Sequence, residues 1–518
     1  MAEQRERWHS RTAFIMAAVG SAIGLGNVWR FPGQAFENGG GAFFVPYFIA
    51  LLTAGIPLMI VEYGIGSKYQ GSAPRSFQRL DKRFEWVGWW AVLIGLMISF
   101  YYCIILAWSW QFAYESMLGM FDGTLPWIGA ASQEGAIGSS DTEAFFNRVL
   151  GTPAKGDDGV GAFNIATMIG LAATWLCVYL AIAKGVHRVG KVVMITVPLP
   201  LIILLLLVIR GLTLPNAMDG LSYYLAPDWS KLTEPEVWLA AYGQVFFSLS
   251  VGWGILIAYA SFRPKDSDVV NNAYMTSFAN CGFSFMAGFA VFSVLGYLAA
   301  ALGKPIPDMD GISGATLAFM TYPEAIQRIQ MDVWLQGLLA VGFFVMLLAL
   351  GIDSAFSIVE AVAAAMKDKF NVSRGVVVTS LCVGGFFMGL IYCFGKGASW
   401  LGITDSYMGD YGLPLVALVQ CILVAWVIPK EKFKELQDDI NARSELTTGP
   451  IWVICLKYIT PAVLLWSLYV YTFKLVKKGV SLDIVLFGIM PAGLVLVTAF
   501  LLQGIKTSKD AEEESTDA

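Results

Sequence analysis

The chain has 518 residues, of which 57% are hydrophobic and 14% charged, with a mean hydropathy of +0.63. That apolar content exceeds what a water-soluble core of this length would use and excludes a soluble domain. The net charge of −5 is dispersed through loops and an acidic tail, with no basic surface of the kind nucleic acid requires.

From the N-terminus, apolar runs long enough to cross a roughly 30 Å hydrocarbon layer recur about twelve times. They lie near 12–36, 41–68, 87–119, 162–183, 190–212, 238–262, 270–302, 333–366, 374–394, 400–428, 450–474 and 482–505. The fold class is therefore all-α integral membrane. The basic residues Arg5, Arg7 and Arg11, then Lys68 to Arg83, Lys184 to Lys191, Arg263 and Lys265, Lys367 to Arg374, Lys430 to Lys434, and Lys506 with Lys509 all fall on one side of these spans. The positive-inside rule makes that side, and both termini, cytoplasmic in the cell membrane. The first run lacks a small-residue cleavage site and reads as a retained span. The seven cysteines lie in apolar stretches without metal-ligand spacing and read as packing residues, and the sequon Asn371-Val372-Ser373 falls in a cytoplasmic loop. Residues 506–518 read as a disordered acidic tail.

Two of the runs are interrupted. Gly20-Ser21-Ala22-Ile23-Gly24-Leu25-Gly26-Asn27 breaks the first and Ser248-Leu249-Ser250-Val251-Gly252-Trp253-Gly254 the sixth. At membrane depth backbone amides and carbonyls must be satisfied, so a helix opens only where protein, solute or ion takes over the freed groups. A glycine pair alone also suits close helix packing. Two coincident interruptions with Ser21, Asn27, Ser248 and Ser250 beside them point to a site. The sixth span comes five after the first, an odd step, so the two helices run in opposite directions. That implies an inverted repeat, with 12–212 carrying helices 1–5 and 238–428 carrying helices 6–10, a site at mid-depth, and a peripheral pair in 450–505. The segment 311–328 is amphipathic enough to form a partial lid.

These motifs, with Val28-Trp29-Arg30-Phe31-Pro32, Glu37-Asn38-Gly39-Gly40-Gly41-Ala42-Phe43, Gly55-Ile56-Pro57-Leu58 and Glu62, Gln244-Val245-Phe246-Phe247, and Leu350-Gly351-Ile352-Asp353-Ser354, resemble the neurotransmitter:sodium symporters and their LeuT-type fold over about residues 5–505. The resemblance implies a sodium-coupled symporter, and the chemistry agrees, because sodium is a hard cation that prefers oxygen ligands. A first sodium would take the carbonyl of Ala22, the amide oxygens of Asn27 and Asn280, the carbonyl and hydroxyl of Ser248, and the substrate carboxylate. A second would take the carbonyls of Gly20, Ile23 and Leu350 with the side chains of Asp353 and Ser354. Asp353, ionisable and within a membrane helix, is costly unless functional. Glu62 reads as a buried brace for unwound backbone.

The family's amine transporters carry aspartate where this chain has Gly24, so the substrate is expected to bring its own carboxylate, received by the amides around Leu25 and Gly26 and the hydroxyl of Tyr102. The implied pocket is Ser21, Ala22, Leu25, Gly26, Ile98, Tyr102, Phe247, Ser248, Ser250, Trp253, Ser354 and Ile358, with Tyr102 and Phe247 as its lid. With no charge awaiting a side chain, the substrate is expected to be a neutral amino acid, and the bulk of Trp253 favours small or medium aliphatic ones. Arg30 resembles an outer gate arginine, with Asp405 as its acidic partner and Asp410 as the alternative. Arg5, Asp368 and Trp8 (residues 1–11 forming a gate segment) resemble the inner gate, where Phe262 replaces a tyrosine. Gly190 and Pro200 match a glycine–proline spacing in the fifth helix that also fits a simple proline kink. Tyr47, Gln244, Ser248, Asn280 and Ser284 resemble the halide site of chloride-dependent members, which implies chloride dependence. The competing readings are a proton-coupled exchanger of the same fold, disfavoured because His9 and His187 both lie in cytoplasmic segments, and an amino-acid sensor. An enzyme is not expected, since no nucleophile–base pair or metal cluster occurs at membrane depth.

Overall fold

The computed structural model describes residues 6–133, 140–152, 159–370 and 372–505. Arg5, Asn371 and the tail 506–518, on which expectations were placed above, lie outside them. Ten of the described helices are long and apolar enough to cross a membrane without a break: Gly41–Tyr69, Lys82–Asp122, Ile165–Ile182, Val186–Leu212, Val270–Leu302, Val333–Phe370, Arg374–Cys393, Gly397–Val427, Pro450–Lys477 and Leu482–Gly504. They are the second to fifth and seventh to twelfth spans. The first and sixth are the interrupted ones. Arg11–Ala22 is followed by Gly26–Glu37 at a bend of 51°, and Pro235–Ser248 by Ile255–Ser261.

Runs of Leu, Ile, Val and Ala become helix here because a helix satisfies its own amides and carbonyls while its side chains meet lipid. The outward faces show the result. Ile195 on the fifth span is 70% exposed and Phe387 on the ninth 64%, a cost in water and none in hydrocarbon. The inward faces pack tightly. The third and eighth spans, each with a 38-residue helix, form the central pair, the fourth lies on the ninth, and the second meets the seventh where the hydroxyls of Tyr63 and Thr276 approach to 3.3 Å. Spans five apart in the chain thus recur as neighbours.

Three of the basic residues near the span ends are tied to acidic residues remote in the chain. Lys68 pairs with Glu435 at 2.7 Å, Lys369 with Glu85 at 2.9 Å, and Arg374 with Glu6 at 3.8 Å. The Lys369–Glu85 pair is almost wholly buried, its side chains each 4% exposed. Removing one partner from such a pair typically costs about 3–5 kcal/mol, because the other charge stays behind unpaired. The helix Asp141–Leu150 and the segment 314–328 are held by a knot of rings. Phe319 stacks on Phe146 at 5.3 Å and on Phe344 of the eighth span at 5.8 Å, and Phe145 meets Phe112 of the third edge-on at 4.9 Å. The lid segment leans on the first span, where a Cβ on Gly33 would come within 2.5 Å of Ser313.

The twelfth span is held to the third by Trp86 stacked on Phe500 at 4.6 Å. The eleventh carries Tyr471 into the central cavity.

Candidate functional site

The break in the first span begins after Ala22. Ile23 turns extended, with φ −80° and ψ 104°, and the helix resumes at Gly26 as a wide π turn that runs to Arg30. A helix leaves its last carbonyls without intrahelical donors. Here Val19 O accepts from Ile23 N at 2.7 Å and Ser21 O accepts from the Ser250 hydroxyl at 3.1 Å, so one break is stapled to the other. The amide of Gly24 donates instead to Asn27 Oδ1 at 2.8 Å.

The sixth span breaks through three residues in the left-handed region, Ser250 (φ +54°), Gly252 (φ +85°) and Gly254 (φ +73°). Glycine adopts that region without strain, and a serine holds it only against some cost. The freed amide of Gly252 donates to Glu62 Oε1 at 3.0 Å. Glu62, 1% exposed on the second span, therefore stands where a brace was expected.

Between the breaks lies a cavity of about 480 Å³. All twelve residues expected to form the pocket line it. A Cβ on Gly24 would sit 2.8 Å from Ser354 Oγ and 3.4 Å from the Tyr102 hydroxyl, so both hydroxyls face this glycine. A Cβ on Gly26 would touch the Phe247 ring at 2.7 Å. That ring is edge-on to Trp253, 6.5 Å away, and carries the Arg30 guanidinium 4.6 Å over its face. The Ser21 hydroxyl and Trp253 Nε1 are buried without hydrogen-bond partners.

Asn27, Ser248, Asn280 and Ser284 form one buried polar cluster. Asn27 Nδ2 donates to Asn280 Oδ1 at 2.8 Å and to Ser284 Oγ at 2.7 Å, and Asn280 Nδ2 donates to Ser248 Oγ at 2.8 Å. Asn27 thus turns its nitrogen to the cluster and its oxygen to Gly24. As an oxygen ligand for a cation here, its amide has to rotate half a turn. Tyr47 lies beside Ser284, and the Tyr47 hydroxyl and both ends of the Gln244 amide are buried without partners. Of the five residues expected to hold a halide, Ser248, Asn280 and Ser284 thus belong to this cluster and Tyr47 lies beside it.

On the other side of the first break, the Asp353 carboxylate reaches within 3.0 Å of where a Gly20 Cβ would lie. Its Oδ1 has no hydrogen-bond partner, and the residue is 2% exposed. Ser354 Oγ donates to Leu350 O at 3.4 Å, and Ile23 is in the break itself. An unpartnered buried carboxylate oxygen is what a hard cation takes.

Beyond Phe247 the cavity continues to Arg30, Asp405, Asp410, Tyr471 and residues 313–315 of the lid. Here the expected gate pairing is corrected. Arg30 meets Asp410 at 3.3 Å, while Asp405 Oδ1 accepts from the Tyr101 hydroxyl at 2.7 Å. The cause is a π-helical stretch, Ser406–Gly412, whose wide turn changes the register after Asp405. Sequence reasoning missed Tyr101 and Tyr471. Tyr101 could have been found from its place next to Tyr102, but nothing in the eleventh span's apolar run singled out Tyr471.

The N-terminal face is plugged. Trp8, 7% exposed, donates from Nε1 to Tyr259 O at 3.0 Å and from its amide to Phe262 O at 3.1 Å. Asp368 Oδ2 accepts from Ser72 N at 2.7 Å. A second ionic set was not foreseen. Arg374 makes a two-pronged pair with Glu360 and donates to Ile182 O at 2.7 Å, and Glu6 Oε2 accepts from Val186 N at 3.0 Å.

A twice-broken helical bundle of this kind has known relatives, and a profile of the Sodium:neurotransmitter symporter family matches residues 5–483. The chain belongs to that family. An uncharacterized sodium-dependent transporter of Methanocaldococcus jannaschii is 37% identical over 510 residues, covering 98% of this chain and 99% of the relative. A sodium- and chloride-dependent GABA transporter 2 of Homo sapiens is 32% identical over 500 residues, 90% of this chain and 81% of the relative. A sodium-dependent dopamine transporter of Caenorhabditis elegans is 33% identical over 502 residues, 89% and 79%. As a member of the symporter family, the chain is a multi-pass membrane transport protein.

Proposed function

We propose that the protein is a sodium-coupled symporter that imports a small or medium neutral amino acid, with chloride as a further requirement. The observation that carries the reading is Gly24, which two hydroxyls face at 2.8 and 3.4 Å from its missing side chain, in a cavity whose acidic lining among the described residues is Asp405 and Asp410, engaged with Tyr101 and Arg30. A zwitterion supplies its own carboxylate. The sodium- and chloride-dependent relatives support the coupling ions.

The two sodium sets lie on either side of the first break, and the substrate carboxylate beside Leu25 and Gly26 would complete the first, so that ion and cargo bind together. A chloride held by the halide set, with Ser284 where a carboxylate would make it unnecessary, would balance the charge of the first sodium. Alternating access then rocks the interrupted spans and their neighbours against the third, fourth, eighth and ninth, with Arg30 and Asp410 closing one end and Trp8 the other. The recurrence of contacts between spans five apart supports the inverted repeat, and the basic connections support a cytoplasmic N-terminal face.

Purified protein in liposomes, given radiolabelled amino acids under imposed sodium, proton or chloride gradients, tests this. Uptake of neutral amino acids driven by inward sodium and diminished when gluconate replaces chloride is the expected result. Uptake driven by protons without sodium makes the protein an exchanger of the same fold, and binding without uptake makes it a sensor.

A further inference from the structure

The two histidines of the chain, His9 and His187, meet in space although 178 positions separate them (187 − 9). Their rings pack edge-to-face with centroids 5.5 Å apart, and both residues are exposed. The two sit on different elements. His9 lies between Trp8, the plug of the N-terminal face, and Ser10, whose hydroxyl accepts from Ala13 N at 3.1 Å and caps the first span. His187 is in the first turn of the fifth span, Val186–Leu212. The His9 ring also leans on Gly190, where a Cβ would come within 2.8 Å of Cε1, so the N-terminal segment uses His9 to rest on the fifth span.

We infer that this pair is a proton-operated latch, in which neutral imidazoles hold the N-terminal segment on the fifth span and protonation of both releases it, favouring the state open on that face. Imidazole is the side chain whose charge changes within the physiological pH range. The surroundings give a second positive charge little relief. Arg7 and Arg11 flank His9, and Lys184, Arg188 and Lys191 flank His187. The start of a helix itself carries positive partial charge. The acidic groups nearby are committed. Glu6 accepts from Val186 N at 3.0 Å and faces Arg374 at 3.8 Å, and Glu360 of the eighth span is paired with Arg374. Two unit charges 5.5 Å apart in a water-like medium shift a two-state balance roughly threefold. The latch goes beyond the transport reading and is tested without it.

Nitroxides at Arg7→Cys and Lys184→Cys, in a chain with Cys177→Ser, report the distance between segment and fifth span in purified protein. On lowering the pH from about 7.5 to about 5.5 the ratio of long to short distances is expected to rise roughly threefold, as the imidazoles charge. With His9→Gln and His187→Gln together the response is expected to vanish. With His187→Lys it is expected to persist, because one permanent charge still opposes His9 as it protonates. An unchanged distribution in the parent chain, or an equal response in the double glutamine variant, overturns the latch. Sodium-driven uptake by the same variants at about pH 7.5 is read in parallel, so a failed transport assignment shows itself separately, as absent uptake in every variant including the parent.

Discussion

Gly24→Asp is the sharpest perturbation of the proposed substrate site. The new Cβ would start 2.8 Å from Ser354 Oγ and 3.4 Å from the Tyr102 hydroxyl, the latter one of the groups proposed to receive the substrate carboxylate. A carboxylate built there falls within about 4 Å of the incoming one, where two like charges at an effective dielectric of about 20 repel by about 4 kcal/mol. At about 1.4 kcal/mol per decade, amino-acid affinity falls roughly a thousandfold. Gly24→Ala separates charge from bulk. Its methyl meets only the end of a small, rotatable hydroxyl, so its loss is expected to stay under about tenfold. Equilibrium binding of radiolabelled amino acid to purified protein in sodium measures both variants, with thermal melts to establish folding. The aspartate variant is further expected to gain affinity for the decarboxylated amine of the same substrate. If folded Gly24→Asp keeps amino-acid affinity within tenfold of the parent, the carboxylate is received elsewhere and the zwitterion argument fails.

Trp253→Val is expected to raise uptake of large aliphatic amino acids relative to alanine in competition assays, and an unchanged preference would remove Trp253 as the limit on size. Ser284→Glu places a fixed negative charge beside Tyr47 and the Asn27 cluster, so uptake by this variant is expected to persist in gluconate while the parent loses several-fold; equal chloride responses would refute the halide site. Asp353→Asn removes the charged ligand of the proposed second sodium set and is expected to raise the half-saturating sodium concentration at least tenfold, a loss of about 1.4 kcal/mol, and unaltered sodium dependence would move the second ion elsewhere. Asp410→Asn leaves Arg30 without its 3.3 Å partner, whereas Asp405→Asn leaves that pair intact. Faster substrate dissociation is therefore expected from the first variant only, and the reverse order would restore Asp405 as the gate.

The spans were legible because composition repeats at helix length, and the breaks because glycine and serine interrupt runs that are otherwise uniformly apolar. Ser250, Gly252 and Gly254 do adopt the left-handed backbone that ends the helix. The pocket was legible through motifs, and all twelve residues reach one cavity. What stayed hidden depends on register or on distant pairing. The wide turn at Ser406–Gly412 gives no composition signal, so the sequence left Asp405 and Asp410 both open opposite Arg30 and could not choose Asp410. Tyr471 looks like any aromatic in a lipid-facing run, and the pairing of Glu6, Arg374 and Glu360 joins segments remote in the chain whose charges also suit ordinary cytoplasmic loops.

The hydrogen bond from Gly252 to Glu62 has a mechanical corollary. It yokes the middle of the sixth span to the second, and a buried carboxylate pulled off its donor would be left stranded in a dry interior at a cost of about 1–3 kcal/mol or more. A swing of the sixth span that spares this bond carries the second along, so the two are expected to pivot together as a two-rod lever.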